Sequence, residues 1–312
     1  MLQQSCHSVL SVLKLCNDSP APIPLPPFAQ NQTSWLTALN YAVRWNAALP
    51  WIRRVQLTPW HSTLAEKTRL LLDERFNRDR VQMAVLDTDY EKALRGFSQV
   101  GVSPVTVGGM DWGRRVYSNR MDRPMERVEF LVRDADWFSA VRGLGKAGFR
   151  ISREGTGWND LGNVRLYRFG LIPGLWSRVN AQENTLSVED SLLFSMITRG
   201  GFWARNPLWL TDLAAFLKKT DQRVDWKLIL ILCEKLKRVG ACWSVLEFLD
   251  RNWGVSIPDH VRGLFVGQVG RVRKLWLHQN MSVAKWFPAE GKPRSILRAD
   301  GKWQTARATL SL

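Results

Sequence analysis

Three short strand-like stretches, the first of them alternating and β-branched, separated by segments of helical periodicity, set the tightest limit on this chain. Val102–Val107, Val128–Val132 and Val164–Phe169 read as strands. Asp87–Gln99, closing on Gly101, precedes the first of them as an amphipathic helix, and Asp134–Lys146, stopped by Gly148, lies between the second and third. Helix, strand, helix or loop, strand, helix, strand is the order of a small α/β unit, and helices surround it on both sides in sequence. The fold class expected is therefore α+β: a small mixed sheet flanked by helices, followed by a helical C-terminal half.

The flanking segments divide the chain. Residues 2–16 have the spacing of a short helix, and the Pro-rich stretch from Pro20 to Pro27 cannot continue it, so 1–33 reads as a helix plus an extended linker. A helix capped by Ser34 and another from about Ser62 into the seventies lead into the sheet unit, giving a segment 34–174. Beyond Gly174 the pattern is helical. Ser187 with Asp190 forms a capping-box pattern, Trp209–Lys219 is amphipathic, Asp225 caps Trp226–Val239, and Cys242–Arg251 follows, giving a helical segment 175–260. The remaining 261–312 has poor periodicity and carries Arg262, Arg271, Arg273, Lys274, Lys285, Lys292, Arg294, Arg298, Lys302 and Arg307 against Glu290 and Asp300. It reads as a loosely packed basic tail.

Charge bears on partners. Lys+Arg 44 against Asp+Glu 28 gives +16, and the pI is near 10.2, a balance that favours polyanions: nucleic acid, anionic lipid or phosphorylated ligands. Trp276, Trp286 and Trp303 interleave with the cations of the tail, a combination that serves single-stranded nucleic acid or an anionic surface. Cys6, Cys16, Cys233 and Cys242 form no CxxC pair, and His7, His61, His260 and His278 are scattered. The chain therefore shows neither a zinc signature nor a histidine triad, and free thiols in a reducing cytoplasm fit it. No apolar run has the length of a transmembrane helix, and the first twenty residues lack the basic and apolar regions of a signal peptide, so a cytoplasmic location is expected.

The stretch between the first two strands carries a more specific pattern: Val105-Thr106-Val107-Gly108-Gly109, then Val116-Tyr117, Arg123, Arg127-Val128-Glu129-Phe130-Leu131-Val132 and Gly148-Phe149. Val164-Arg165-Leu166-Tyr167, Leu175-Trp176, Leu186–Leu193, Trp209–Leu213, Asp225-Trp226 and the Pro258 region follow in order. In order and spacing the segment of about 34–260 resembles a bacterial family of uncharacterised nucleotidyltransferases of the polymerase-beta type. The family has a strand ending in Leu-Lys-Gly, an Arg, and a strand reading Asp-Ile-Asp-Leu-Leu-Val.

The resemblance implies a nucleotidyltransferase-like sheet, with ATP or another NTP as ligand and Mg²⁺ as cofactor. Two carboxylates at i and i+2 of one strand point to the same side and hold a metal, and an acid from the neighbouring strand completes the site. Here those three places are Arg127, Glu129 and Arg165, and the Lys of the Lys-Gly turn is Gly108. A guanidinium supplies only donors and cannot ligate a hard cation. The pattern thus implies a degenerate metal site with Glu129 as the surviving catalytic or metal-ligating group. Gly108, Gly109, Arg123, Arg127 and Arg165 would then form an anion-binding set for a nucleotide or phosphorylated ligand, with Arg114, Arg115 and Arg168 nearby. Three alternatives stay open: the arginines pair with Glu126, Glu129 or Asp122 and fill the cleft, Glu129 supports an active transferase, or the fold is scaffold for a nucleic-acid-binding protein. Asp212 reads first as a hydrogen-bond acceptor and second as a site residue.

Overall fold

A computed structural model describes residues 32–44, 47–117, 119–150, 158–161, 164–168, 172–180, 182–199, 208–220 and 224–269. The expected helix at 2–16, the Pro-rich linker and nearly all of the basic tail lie outside the described residues. The architecture is α+β.

The chain enters through α1 (Gln32–Arg44), α2 (Ala48–Gln56) and the single turn α3 (Trp60–Thr63). Ser34 lies inside α1 rather than at its cap. The next helix, α4 (Glu66–Ser98), runs 33 residues as one piece where the sequence suggested two. Nothing interrupts it: Gly96 is its only glycine and it has no proline. Buried Leu72, Phe76, Met83, Leu86, Tyr90, Ala93 and Phe97 continue one face throughout, the buried Asp79 is paired with Arg75 one turn earlier, and an Arg78–Glu74 pair supports the exposed side. Gly101, at φ +69°, ends it in the left-handed conformation.

The sheet has the order β1-β2-β4-β3: β1 (Val105–Val107), β2 (Val128–Val132), β3 (Trp158–Leu161) and β4 (Val164–Arg168). β1 pairs antiparallel with β2, β2 parallel with β4, and β3 antiparallel with β4. The first strand is shorter than the sequence pattern because Pro104 has no N–H to give a ladder. Between the strands lie α5 (Gly109–Val116), a 3₁₀ turn (Arg120–Asp122), a second 3₁₀ turn (Asp134–Asp136) and α6 (Trp137–Lys146). Every residue of β2 is buried, as befits a strand covered on both faces. The strand β3 was not anticipated. It joins β4 across only Gly162-Asn163 in sequence, a two-residue hairpin signal that the polar run Trp158-Asn159-Asp160 obscures.

α4 packs over the sheet through Phe97, which meets Phe130 edge-on at 5.1 Å, and α6 lies alongside α4 with Leu144 buried in the shared core. Their crossing is closed by two glycines. A Cβ at Gly96 would lie 2.6 Å from the Gly143 carbonyl oxygen, and one at Gly143 would lie 2.5 Å from the Gly96 oxygen.

The helical half contains α7 (Leu175–Arg178), α8 (Val188–Arg199), α9 (Leu208–Thr220), α10 (Trp226–Lys235), α11 (Val239–Trp253) and α12 (Asp259–Gln268). The Ser187 hydroxyl accepts the Asp190 N–H at 3.1 Å and Asp225 accepts the Leu228 N–H at 3.0 Å, so both anticipated caps form. Where one apolar helix was expected over Trp226–Val239, the chain turns at Lys237, φ +55°, and restarts. The two halves share one hydrophobic core. Among the described residues no helix is long and apolar enough to cross a membrane.

Candidate functional site

The sheet brings Gly108, Glu129 and Arg165 together through register. Val107, at the end of β1, pairs with Glu129, and Glu129 pairs with Arg165 of β4. Side chains at paired positions stand on the same side of a sheet, so the guanidinium-bearing residue sits directly beside the carboxylate-bearing one. Tyr167, two residues beyond Arg165, shares that side and donates its hydroxyl to Glu129 Oε1 at 2.8 Å. Glu129 is buried; Arg165 and Tyr167 are half-buried. Burial pushes the Tyr167 hydroxyl above its ordinary range, and the Glu129 charge adds to this, with Arg165 opposing.

The turn that opens α5 uses its two glycines for different reasons. Gly108 is held at φ +69°, ψ −138°, a conformation that side chains rarely adopt. Gly109 is excluded from bearing a side chain by contact: a Cβ there would lie 2.5 Å from Arg123 Nη1 and 2.8 Å from the Met125 Cβ.

Arg123 is not turned to solvent. Its Nε and Nη2 donate to Asp212 Oδ2 of α9 at 3.1 and 2.7 Å, and its Nη1 donates to the Pro124 carbonyl at 2.9 Å. Asp212 Oδ1 accepts the Tyr117 hydroxyl at 2.9 Å. Only 3% of Arg123 and none of Asp212 is exposed. Burial works against the Arg123 charge, yet the Asp212 carboxylate, with Tyr117 and Glu129 behind it, outweighs that and holds its pKa above the ordinary value. The hydrogen-bonding role read for Asp212 is the one it has.

The other arginines separate. Arg127 precedes β2, half-exposed, with the Glu126 carboxylate 3.8 Å away. Arg114 lies 4.5 Å over the Tyr90 ring. Arg115 donates to Asp111 Oδ1 and to the Leu186 carbonyl, both at 2.7 Å, and Arg168 pairs with Asp134 at 3.0 Å. The anion-binding group expected from the sequence therefore contracts to the Gly108 turn, Arg165 and Arg127, with Arg123 acting behind Gly109 as a support.

This donor set does not fit a divalent cation. Glu129, already accepting a hydroxyl, has the guanidinium-bearing Arg165 as its register partner on β4, and Arg165 in turn pairs in register with Asp160 of β3, so a fixed cation occupies the place between the two acids. Among the described residues no group of three or more His, Cys, Asp or Glu could hold a metal ion. What the groups can do is present fixed positive charge and a tight turn to an anion.

Sequence reasoning placed Tyr167 only as part of a pattern. Its two-residue spacing from Arg165 was the available signal, whereas nothing in the sequence linked Tyr117 to Asp212, 95 residues away, although each was singled out by itself. No family model, no curated protein and no solved structure matches this chain.

Proposed function

We propose that the protein is a nucleotidyltransferase-like scaffold with a degenerate metal site that binds a phosphorylated ligand, such as ATP or another nucleotide, without a divalent ion. The observation that carries this reading is the direct pairing of Arg165 with Glu129 on adjacent parallel strands. The implied third carboxylate would sit at that place, and a guanidinium there replaces the charge a metal would bring. The order helix, strand, helix, strand, helix, strand, with the Gly turn between β1 and α5, supports the same reading.

The local chemistry makes binding workable. Tyr167 donates to Glu129, so Arg165 can swing toward a phosphate without leaving the buried carboxylate unsatisfied. Arg165 stands beside Glu129 on the neighbouring strand and Arg127 two residues before it in the chain, and a fork-shaped donor suits phosphate oxygens. In this reading the residues at the turn bind and orient the ligand rather than activate an attacking oxygen.

Calorimetry with ATP, in Mg²⁺ and in a chelator, tests this. The expected result is binding equal in both and weakened about tenfold or more in Arg165→Ala. Binding that requires Mg²⁺, together with a transfer rate abolished by Glu129→Gln, would replace the proposal with an active enzyme.

A further inference from the structure

The glycine-closed crossing of α4 and α6 gathers a second basic surface, on a different face of the fold. Taking Gly96 and Gly143 as the points that face each other, helical geometry fixes what lies on either side. Phe97 and Leu144 project toward the sheet. Lys92 and Arg95 of α4, and Arg142 and Lys146 of α6, project to the opposite, solvent side of the same seam. Arg95, Arg142 and Lys146 are exposed and Lys92 is half-exposed. Lys92 is tied to the crossing: its Nζ lies 5.1 Å from the Phe149 ring centre and 3.5 Å from where a Gly148 Cβ would stand.

Four cations in two facing rows repel one another, and helices usually relieve such crowding with acids. Here none of the four has a carboxylate partner among the described residues. Glu91, one turn before Arg95 on α4, has Arg120 3.8 Å away. One turn before Arg142 on the same exposed row of α6 stands Phe138, 79% exposed, among the most exposed large apolar side chains described. Phe138, Arg142 and Lys146 recur every four residues, so ring and cations line one strip.

We infer that this α4–α6 seam is a binding surface for single-stranded nucleic acid, the four cations meeting successive phosphates and Phe138 stacking on a base. A lone ring among cations favours this over a lipid surface. A membrane-lying helix needs a broad apolar face, and this strip supplies one aromatic, whereas one ring is enough for one base. The surface does not involve the Glu129 site.

The test uses the full chain and a fluorescently labelled oligothymidylate, with anisotropy read across a salt series. The wild type should bind with a steep salt dependence. The variant Arg95→Ala/Arg142→Ala/Lys146→Ala should bind roughly tenfold or more weakly, and its slope of log K against log salt should fall by about 2, near 0.7 per lost phosphate contact. Phe138→Ala should weaken binding about tenfold with the slope unchanged. All four side chains are solvent-facing, so circular dichroism melts should match the wild type, and single Lys146→Gln should give a graded loss. Unchanged affinity and slope in the triple variant would overturn the inference and assign binding to another basic part of the chain. Absence of oligonucleotide binding by the wild type would overturn it too. So would capture by phosphatidylserine vesicles that oligonucleotide does not compete away.

Discussion

Arg123 and Asp212, 89 residues apart, meet in two hydrogen bonds at 3.1 and 2.7 Å with essentially no access to water. The pair couples the turn at Gly109 to α9 of the helical half. Removing one partner strands the other as a buried charge. Asp212→Ala should therefore cost roughly 3–5 kcal/mol, read as a lower urea midpoint, and Arg123→Met with Asp212→Leu together should cost less than either single change. A midpoint unmoved by Asp212→Ala would show that the pair contributes nothing to stability.

The two kinds of glycine separate by substitution. Gly101 has φ +69° and open space around its missing Cβ, so Gly101→Ala meets only backbone strain, about 1–2 kcal/mol. Gly143→Ala forces its methyl onto the Gly96 carbonyl, and about 1–3 kcal/mol is expected from overpacking with the backbone displaced. Amide exchange checks the difference: protection should drop along the α4–α6 seam in Gly143→Ala and stay unchanged there in Gly101→Ala.

Asp111 sits in the first turn of α5, and burial raises its carboxyl pKa above the ordinary 3.8, with Arg115 and then Arg114 opposing. Between 3.8 and the raised value the folded state keeps a proton that the unfolded chain has lost. Stability contributed by this group is thus full below 3.8 and declines as pH rises through the folded pKa. The denaturation midpoint of the wild type minus that of Asp111→Asn should fall across that window. A difference that grows with pH would contradict the sign.

Tyr167 answers to the opposite end of the pH scale. Its folded pKa lies above the ordinary 10.0 because of burial first and the Glu129 charge second. In an absorbance titration the wild type should keep an un-ionised tyrosine component above the ordinary 10.0, and Tyr167→Phe should remove it. Glu129→Gln should shift that component down only in part, since burial remains. The stabilising effect is present below 10.0 and is lost above it as pH climbs through the folded value. Tyr167→Phe removes the donor to a buried carboxylate and should cost about 1–3 kcal/mol.

Much of the local structure was legible in the residues. Val128–Val132, the stop at Gly148 and the caps Ser187 and Asp225 are set by alternation, backbone freedom and side-chain oxygens, all short-range causes. The neighbouring places of Glu129 and Arg165 came from the resemblance, which sets the third site position on the adjoining strand, and the register of β2 with β4 has them paired. The fate of Arg123 was not legible. A guanidinium that binds phosphate and one that braces a helix look the same in sequence, and the carboxylate that decides between them arrives from α9. The unbroken α4 was likewise hidden, since its middle turns, from Asn77 to Val85, carry many polar residues and only a narrow buried face at Met83 joins the apolar rows at either end.

Splitting this protein at the expected boundary near 174 has a foreseeable result. The N-terminal fragment would inherit a guanidinium walled in by Gly109 and Pro124, and its counterpart would inherit an acid that two donors once shared. Each piece would have to let water into its own centre, so neither should fold until the two are mixed.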